Sequence, residues 1–135
     1  MISESSLCPC YSKLLYKDCC QKFHQGTPCE NALQLMRSRY SGYALSLVDY
    51  IIHTTHPSNK EYSEDIATWK QHILHFCKHT TFENLEISDF TESQDTAYVT
   101  FTAHLSQNGQ SATFTEKSRF KKVDGRWLYL DGTVY

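Results

Sequence analysis

Residues 8–20 read Cys-Pro-Cys-Tyr-Ser-Lys-Leu-Leu-Tyr-Lys-Asp-Cys-Cys and hold four of the six cysteines of the chain. A Cys-x-Cys pair and an adjacent Cys-Cys pair, separated by eight residues, can bring four thiolates to one point. A tetrahedral set of four thiolates suits Zn²⁺, and a closed site of this kind is structural, with no coordination position left for a substrate. The spacing therefore predicts a zinc knuckle with the ligands Cys8, Cys10, Cys19 and Cys20.

The rest of the 135-residue chain is long enough for one globular domain. Its hydrophobic content of 40% and aromatic content of 13% are sufficient for a core and argue against disorder. The formal net charge of −2 comes from mixed signs, which argues against nucleic acid as a partner. Lys13, Lys17 and Lys22 gather around the cysteines, and a solvated face explains them as well as a docking surface does.

The cysteines also indicate a compartment. The N-terminus lacks the apolar run of a signal peptide, and no stretch is long and apolar enough to span a membrane. Without a secretory signal, six cysteines are better explained as metal ligands and buried thiols than as disulfides. The sequence therefore predicts a cytoplasmic protein, in which the lone Cys29 is a packed thiol.

The cysteine stretch resembles the SEC-C motif, the zinc knuckle found at the end of the SecA translocase motor and in many other proteins. The resemblance implies the same four cysteine ligands. His24 is an alternative to Cys20, but its longer spacing makes it the second choice. The family usually has Gly where this chain has Tyr11. If that glycine has a positive φ, Tyr11 strains the turn and weakens the binding of zinc.

After a linker at 25–31, apolar residues repeat at helical spacing in three segments. The first segment begins at Ala32, the second is offset from it at Gly42 and ends before Pro57, and Ser58-Asn59-Lys60-Glu61 is a capping box that begins the third. Beyond Thr80 the period changes to two, which predicts four antiparallel strands. An α+β domain with helices on one face of a sheet follows.

Two dipeptides predict the register of the hairpins. With Asn108-Gly109 as a two-residue turn, Phe101 faces Glu116 and Val99 faces Ser118. With Asp124-Gly125 as the next turn, Phe120 faces Tyr129 and Ser118 faces Asp131. Glu116, Ser118 and Asp131 then share the inner face of the sheet.

Four segments together resemble the YchJ-like family, and the resemblance runs over nearly the entire chain. They are Leu35-Met36-Arg37-Ser38-Arg39-Tyr40-Ser41, Thr55-His56-Pro57, Glu116-Lys117-Ser118-Arg119-Phe120 and Trp127-Leu128-Tyr129-Leu130-Asp131-Gly132. The resemblance implies an NTF2-like (cystatin-like) cone at 27–135, in which helices pack on a curved sheet of about four strands, preceded by the knuckle at 1–26. Many members continue into a second SEC-C motif, whereas this sequence ends at Tyr135.

The open end of such a cone suggests a pocket. Arg39 lies in the apolar stripe of the first helix, and a guanidinium facing a core needs an anionic or multiply accepting partner. We expect Glu116, Asp131 or both to hold it, either as a buried ion pair that fixes helix on sheet or as part of a site for a polar small molecule. The candidate pocket residues are Arg39, Tyr40, His56, Glu116, Ser118, Trp127, Tyr129 and Asp131.

No sequence motif indicates a reaction, because Gly-rich phosphate loops and nucleophile elbows are absent. His72, His75 and His79 are spaced along one helix, where a solvated face explains them better than a metal site. The leading hypothesis is an adaptor with a structural Zn²⁺ that binds a protein partner through its knuckle. The alternative is a protein or enzyme that binds a small molecule in the cone, and homo-oligomers are compatible with either.

Overall fold

The computed structural model describes residue 3 and residues 5–135 of the chain. A turn of 3₁₀ helix at Tyr16–Asp18 and a short helix lie in the knuckle, and three further helices precede the sheet. The helices are α1 (Gln21–His24), α2 (Ala32–Ala44), α3 (Val48–His53) and α4 (Ile66–Lys78). The strands are β1 (Thr81–Glu92), β2 (Thr96–Gln107), β3 (Gln110–Ser111), β4 (Phe114–Val123) and β5 (Arg126–Val134).

The sheet is antiparallel, with the order β1-β2-β4-β5 and the two-residue β3 beside β2. Both predicted hairpins form, and the turn residues Asn108, Gly109, Asp124 and Gly125 all have positive φ, as two-residue turns require. The predicted register of the first hairpin is confirmed, since Phe101 pairs with Glu116 and Val99 with Ser118. The predicted α+β architecture is therefore correct, with helices packed on a curved sheet.

The register of the second hairpin changes at a β-bulge. Phe120 pairs with Tyr129 as predicted, but the register shifts next to Phe120, so Asp131 pairs with Arg119 and Ser118 pairs with Gly132. One extra residue in a strand sends the following side chains to the opposite face. The prediction that Asp131 shares the inner face with Ser118 was therefore wrong. Asp131 lies on the outer face, where its carboxylate accepts two hydrogen bonds from Arg119 at 2.9 and 2.6 Å.

Helix α2 is buried on more than one side. Leu35, Met36 and Tyr40 pack with the buried face of the sheet, as their helical spacing predicts. Ser38 and Ser41 are fully buried as well, on the side of the helix that receives the knuckle. Helix α2 ends at Ala44 and the chain turns at Ser46, which has φ +58°, whereas the sequence predicted the offset at Gly42. Gly42 instead lets α3 approach, because a Cβ there would meet Ile51 and Tyr50 at 3.3 Å.

The third predicted helix begins later than expected. Its N-cap is Asp65, whose carboxylate accepts a hydrogen bond from the backbone N–H of Thr68. The capping-box prediction at Ser58–Glu61 was wrong because Asn59 makes other contacts. Its side-chain amide donates to the carbonyl of Leu130 at 2.8 Å, and its Oδ1 accepts from the N–H of Glu61. The loop 57–65 is thereby fixed to β5 beside the bulge.

The segment that follows α3 extends the sheet. Thr55 forms a parallel bridge with Tyr129, and the backbone N–H of Tyr129 donates to the carbonyl of Thr54 at 2.8 Å. These bonds occupy part of the edge of β5 that would otherwise lack a partner. They also place the C-terminus of α3 directly above the inner face of the sheet.

Candidate functional site

The four cysteines of the knuckle converge. Their sulfur atoms all lie within 4.8 Å of one another, with Cys10 and Cys19 separated by 3.6 Å. Cys8, Cys10 and Cys20 are buried and Cys19 is partly exposed. Backbone hydrogen bonds between residues 8–20 build the turn, among them Cys8 N–H to the carbonyl of Leu14 and Tyr11 N–H to the carbonyl of Cys8. These four cysteines are the residues that would hold a metal ion, each through its sulfur atom.

The chemistry of the cluster favours a cation. Hydrogen bonding with Cys19 lowers the pKa of Cys10, whereas hydrogen bonding with Cys10 raises the pKa of Cys20. Within the cluster, the thiolate form is thus favoured at Cys10 and Cys19 and disfavoured at Cys8 and Cys20, because several negative charges at this separation repel each other. A divalent cation removes that repulsion and allows all four thiols to ionise. Arg37 adds positive charge, since its Nη1 lies 3.9 Å from the Cys10 sulfur and donates to the Cys10 carbonyl at 3.1 Å.

His24 is placed as a structural contact and not among the sulfurs. Its Nδ1 lies 2.6 Å from the Tyr16 hydroxyl and its Nε2 lies 2.8 Å from the carbonyl of Ser38. A carbonyl only accepts, so Nε2 carries the proton and Nδ1 accepts from Tyr16. The neutral ring is therefore fully hydrogen-bonded, and it joins the knuckle to α2.

Replacing His24 is expected to change how the free energy of unfolding depends on pH below neutrality. Burial lowers the pKa of His24 below its ordinary value of 6.5. Below pH 6.5 the unfolded chain then binds more protons than the folded one, so stability is complete above that pH and is lost as the pH falls toward the folded-state pKa. Urea unfolding of the wild type and of His24→Gln tests this between about pH 7.5 and 5, a range that includes the ordinary histidine pKa. Parallel stability curves for the two proteins would contradict it.

Tyr11 fastens the knuckle to the sheet. Its φ of +62° is in the left-handed region, where the SEC-C resemblance implies glycine. Strain there costs about 1 kcal/mol for a residue with a side chain. The side chain offsets this cost, because its hydroxyl donates to the carbonyl of Phe82 at 2.6 Å and its ring packs edge-on against Tyr40. The four sulfurs still converge around this strained turn.

Tyr11→Phe is expected to lower the free energy of unfolding by about 1 kcal/mol, because one hydrogen bond between the knuckle and the sheet is lost. The metal content should not change, since the ring and the backbone of the turn remain. Chemical unfolding and metal analysis of the purified variant measure the two effects. Tyr62→Phe, in a loop outside the knuckle, is the matched control and should stay within about 0.5 kcal/mol of the wild type.

A second candidate site lies between the helices and the inner face of the sheet. It is a cavity of about 710 Å³, within the range typical of small-molecule sites. Aromatic and aliphatic side chains form most of its wall, and the polar residues Asn59, Lys60, Glu61 and His72 also border it. Of the predicted pocket residues, five line this cavity: Arg39, Tyr40, Glu116, Ser118 and Tyr129.

Arg39 binds the C-terminus of α3 instead of a carboxylate. Its Nη1 donates to the carbonyl of Ile51 at 3.1 Å and to the hydroxyls of Thr54 and Thr55 at 2.7 and 3.1 Å. The guanidinium carbon lies 4.8 Å from the centre of the Tyr129 ring. No ion pair joins Arg39 to an acidic residue in the described part of the chain. The expected pairing with Glu116 or Asp131 was wrong, because carbonyl and hydroxyl oxygens supply the multiply accepting partner.

Glu116 is held by hydroxyl groups. Its Oε2 accepts from Ser118 and, at 3.0 Å, from the Tyr129 hydroxyl. Burial raises the pKa of Tyr129, and the negative charge of Glu116 raises it further, so this phenol stays protonated and donates. The carboxylate of Glu116 also packs on Gly132, where a Cβ would overlap the carboxylate. Tyr129 thus separates the two charged groups, with its ring beneath Arg39 and its hydroxyl at Glu116.

The other predicted pocket residues lie elsewhere or have partners. His56 pairs with β5 through its backbone and accepts a hydrogen bond from Ser58 N–H on its ring. Trp127 is buried in the main core, and Asp131 is outside because of the bulge. Tyr40 borders the cavity, but its hydroxyl already donates to the carbonyl of Asn84 at 2.9 Å. None of His56, Trp127 and Asp131 lines the cavity.

Sequence reasoning missed two residues of these sites. Tyr43 belongs to the predicted apolar stripe, yet its side chain faces the cavity. Arg37 reaches the knuckle from α2. Tyr43 follows Arg39 by one helical turn, and this spacing could have predicted that both line the same cavity. The contact of Arg37 could not be predicted, because it depends on how the knuckle packs on α2.

Comparison with known proteins agrees with this architecture. Residues 31–132 match the family described as "YchJ, middle NTF2-like domain". A UPF0225 protein of Actinobacillus succinogenes is 37% identical over 133 residues, covering 96% of this chain and 83% of that protein. UPF0225 protein VP1145 of Vibrio parahaemolyticus is 38% identical over 135 residues, covering 96% and 75%.

Two solved structures are similar over nearly the whole chain. The crystal structure of a SEC-C motif containing protein from Psychrobacter arcticus has a TM-score of 0.81 at 30% identity, covering 100% of this chain and 86% of that one. The solution structure of a SEC-C motif containing protein from Rhodopseudomonas palustris has a TM-score of 0.79 at 28% identity, covering 90% and 93%.

The fold and the cysteine cluster define an NTF2-like protein with a SEC-C-type motif at its N-terminus. Within that class, the chain belongs to the YchJ-like (UPF0225) family. The matched segment 31–132 falls inside the predicted domain 27–135. Among the described residues, each helix is too short or too polar to cross a bilayer.

Proposed function

We propose that this protein is a binding module in which one structural Zn²⁺ holds the knuckle as a docking surface for another protein. The observation that carries the proposal is the approach of four cysteine sulfurs to within 4.8 Å of one another. Cys8, Cys10, Cys19 and Cys20 would hold the ion as thiolates. The proposal includes the cytoplasm as compartment, because thiols must stay reduced to bind a metal.

A structural role for zinc follows from the ligand set. Four thiolates complete a tetrahedral shell, so no position is open for water or substrate, and the proposal assigns no catalytic step to the ion. The short knuckle has a small apolar cluster made largely of the cysteines themselves and Tyr16. Metal binding therefore supplies much of the free energy that folds it.

The outer surface of the knuckle supports docking of a protein. Leu7 and Leu14 are 64% and 52% exposed, and a bridge between Leu7 and Leu15 holds the two segments side by side. Lys13 and Lys17 are exposed in the same turn. Two exposed leucines flanked by lysines fit a partner segment that presents apolar side chains next to carboxylates.

Affinity capture with matched variants tests this function. A partner should be retained by the wild type, and it should be lost with Leu14→Ser, although that variant still contains zinc. Leu74→Ser is the control, because Leu74 is an exposed leucine on α4, outside the knuckle. Retention of the same proteins by the wild type and by Leu14→Ser would contradict docking through this surface.

A further inference from the structure

The cavity contains polar groups that the structure itself does not satisfy. Only Nη1 of Arg39 has hydrogen-bond partners, so Nε and Nη2 lack an acceptor within the described residues. Among the described residues, Trp127 Nε1 is the one side-chain nitrogen or oxygen that is fully buried and has no hydrogen-bond partner. The two unpaired nitrogens of Arg39 are therefore open to the cavity, although Arg39 as a whole is only 8% exposed.

Tyr43 adds a second free group beside Arg39. Its side chain lines the cavity one helical turn after Arg39, and its ring packs edge-on against Phe76. No hydrogen bond of its hydroxyl is found within the described residues, in contrast to Tyr40, whose hydroxyl is bound to Asn84. Burial raises the pKa of Tyr43, so its hydroxyl remains a donor. Arg39 and Tyr43 together offer N–H and O–H donors without an acceptor.

Glu116 offers the complementary group on the sheet. Its Oε2 receives the hydroxyls of Ser118 and Tyr129, whereas its Oε1 has no donor among the described residues. The Tyr129 ring lies between Glu116 and Arg39, and the apolar residues Phe101, Phe114 and Phe120 line the same cavity. A ligand that satisfies the cavity must therefore bring an anionic acceptor, an O–H or N–H donor, and an apolar body between them.

We propose that the cavity binds a small carboxylate that has an apolar, ring-sized body and a separate O–H or N–H donor. The carboxylate accepts from Arg39 and Tyr43, and the donor binds Oε1 of Glu116. A guanidinium is the side chain best suited to a carboxylate, since its donors are planar and always charged. The site is independent of the docking of a protein on the knuckle.

The two tryptophans allow binding in the cavity to be followed by NMR spectroscopy. Trp69 lines the cavity, whereas Trp127 does not, so the indole N–H signals of the two in ¹H–¹⁵N spectra distinguish binding in the cavity from binding elsewhere. The probe is 4-hydroxyphenylacetate, titrated into the full chain. Phenylacetate lacks the donor, and 4-hydroxyphenylacetamide lacks the charge.

We expect 4-hydroxyphenylacetate to shift the signal of Trp69 in a saturable way and to leave that of Trp127 in place. The amide should bind at least about 10-fold more weakly, because hydrogen bonds to a charged group are the stronger ones. Tyr43→Phe should weaken binding of the acid by about 10-fold. Tyr40→Phe is the matched control, since its hydroxyl is already occupied, and should leave the affinity unchanged.

Equal affinity for the acid and the amide would overturn the proposal, as would equal effects of Tyr43→Phe and Tyr40→Phe. Absence of any shift of Trp69 by the three probes would overturn it too. Glu116→Gln should remove the preference for 4-hydroxyphenylacetate over phenylacetate, and an unchanged preference would contradict the role of Glu116. These variants test the site without a substitution of Arg39, which also holds the C-terminus of α3.

Discussion

Cys10→Ser is expected to release the metal and unfold the knuckle, while the helices and sheet at 32–134 stay folded. Cys10 is completely buried in the centre of the cluster. Structural zinc sites hold about 10–16 kcal/mol of binding free energy, and losing one of four thiolates should weaken zinc affinity on the order of 10²–10³-fold. The free energy of folding that the proposed Zn²⁺ would supply to the knuckle would be lost with the ion.

The domain should survive because the face of α2 beneath the knuckle is polar. Ser38 and Ser41 lie under the knuckle, and Arg37 projects toward it. Water can replace the contacts of these groups at small cost. The apolar side of α2, with Leu35 and Met36, packs on the sheet and does not depend on the knuckle.

Hydrogen exchange and metal analysis measure this result. Backbone amides of 5–24 should lose protection in Cys10→Ser, and those of β2 and β4 should keep it. Cys29→Ser is the matched control, because Cys29 lies outside the cluster with its sulfur 3.9 Å from the hydroxyls of Ser38 and Tyr50. Full metal content in Cys10→Ser, or equal loss in Cys29→Ser, would contradict the assignment.

Arg39→Met is expected to lower the free energy of unfolding by about 3 kcal/mol, since hydrogen bonds to charged groups contribute about 1.5–3 kcal/mol and the contact with Tyr129 adds to them. The variant keeps an unbranched apolar side chain at this position but leaves the C-terminus of α3 without its donor. Arg39→Lys should recover only part of the loss, because an ammonium cannot reproduce the planar guanidinium over the Tyr129 ring.

A double-mutant cycle with Glu116→Gln separates this explanation from a buried ion pair. Arg39 binds oxygen atoms of α3, and Glu116 binds two hydroxyls, so the coupling between them should be below about 1 kcal/mol. Urea unfolding of the wild type, both single variants and the double variant gives the coupling. A coupling of about 3 kcal/mol, as a direct buried pair would give, would contradict the observed partners.

Local chemistry made much of this structure predictable. Asn108-Gly109 determined the register of the first hairpin over its whole length, because a two-residue turn leaves no freedom in the pairing. The cysteine cluster was predictable for a similar reason, as all four ligands lie within one short stretch. Both features depend on residues close together in sequence.

Tertiary contacts account for the predictions that failed. The bulge in the second hairpin has no local signal, and it moved Asp131 to the outer face. Ser58–Glu61 has the sequence pattern of a capping box, yet the side chain of Asn59 within it donates to the carbonyl of Leu130. Arg39 needed an acceptor, but nothing in the sequence reveals that α3 ends directly beside it. Each error concerns a partner supplied by a distant segment.

X-ray absorption at the zinc edge, on protein purified without added metal, identifies the ligands of a metal bound by the four cysteines. We expect one zinc per chain with four sulfur neighbours at about 2.3 Å. Four thiols should be protected until a chelator or denaturant is added, and Cys29 and Cys77 should account for the other two. Absence of bound metal with six freely reactive thiols, or nitrogen and oxygen neighbours in place of sulfur, would contradict a zinc site made of Cys8, Cys10, Cys19 and Cys20.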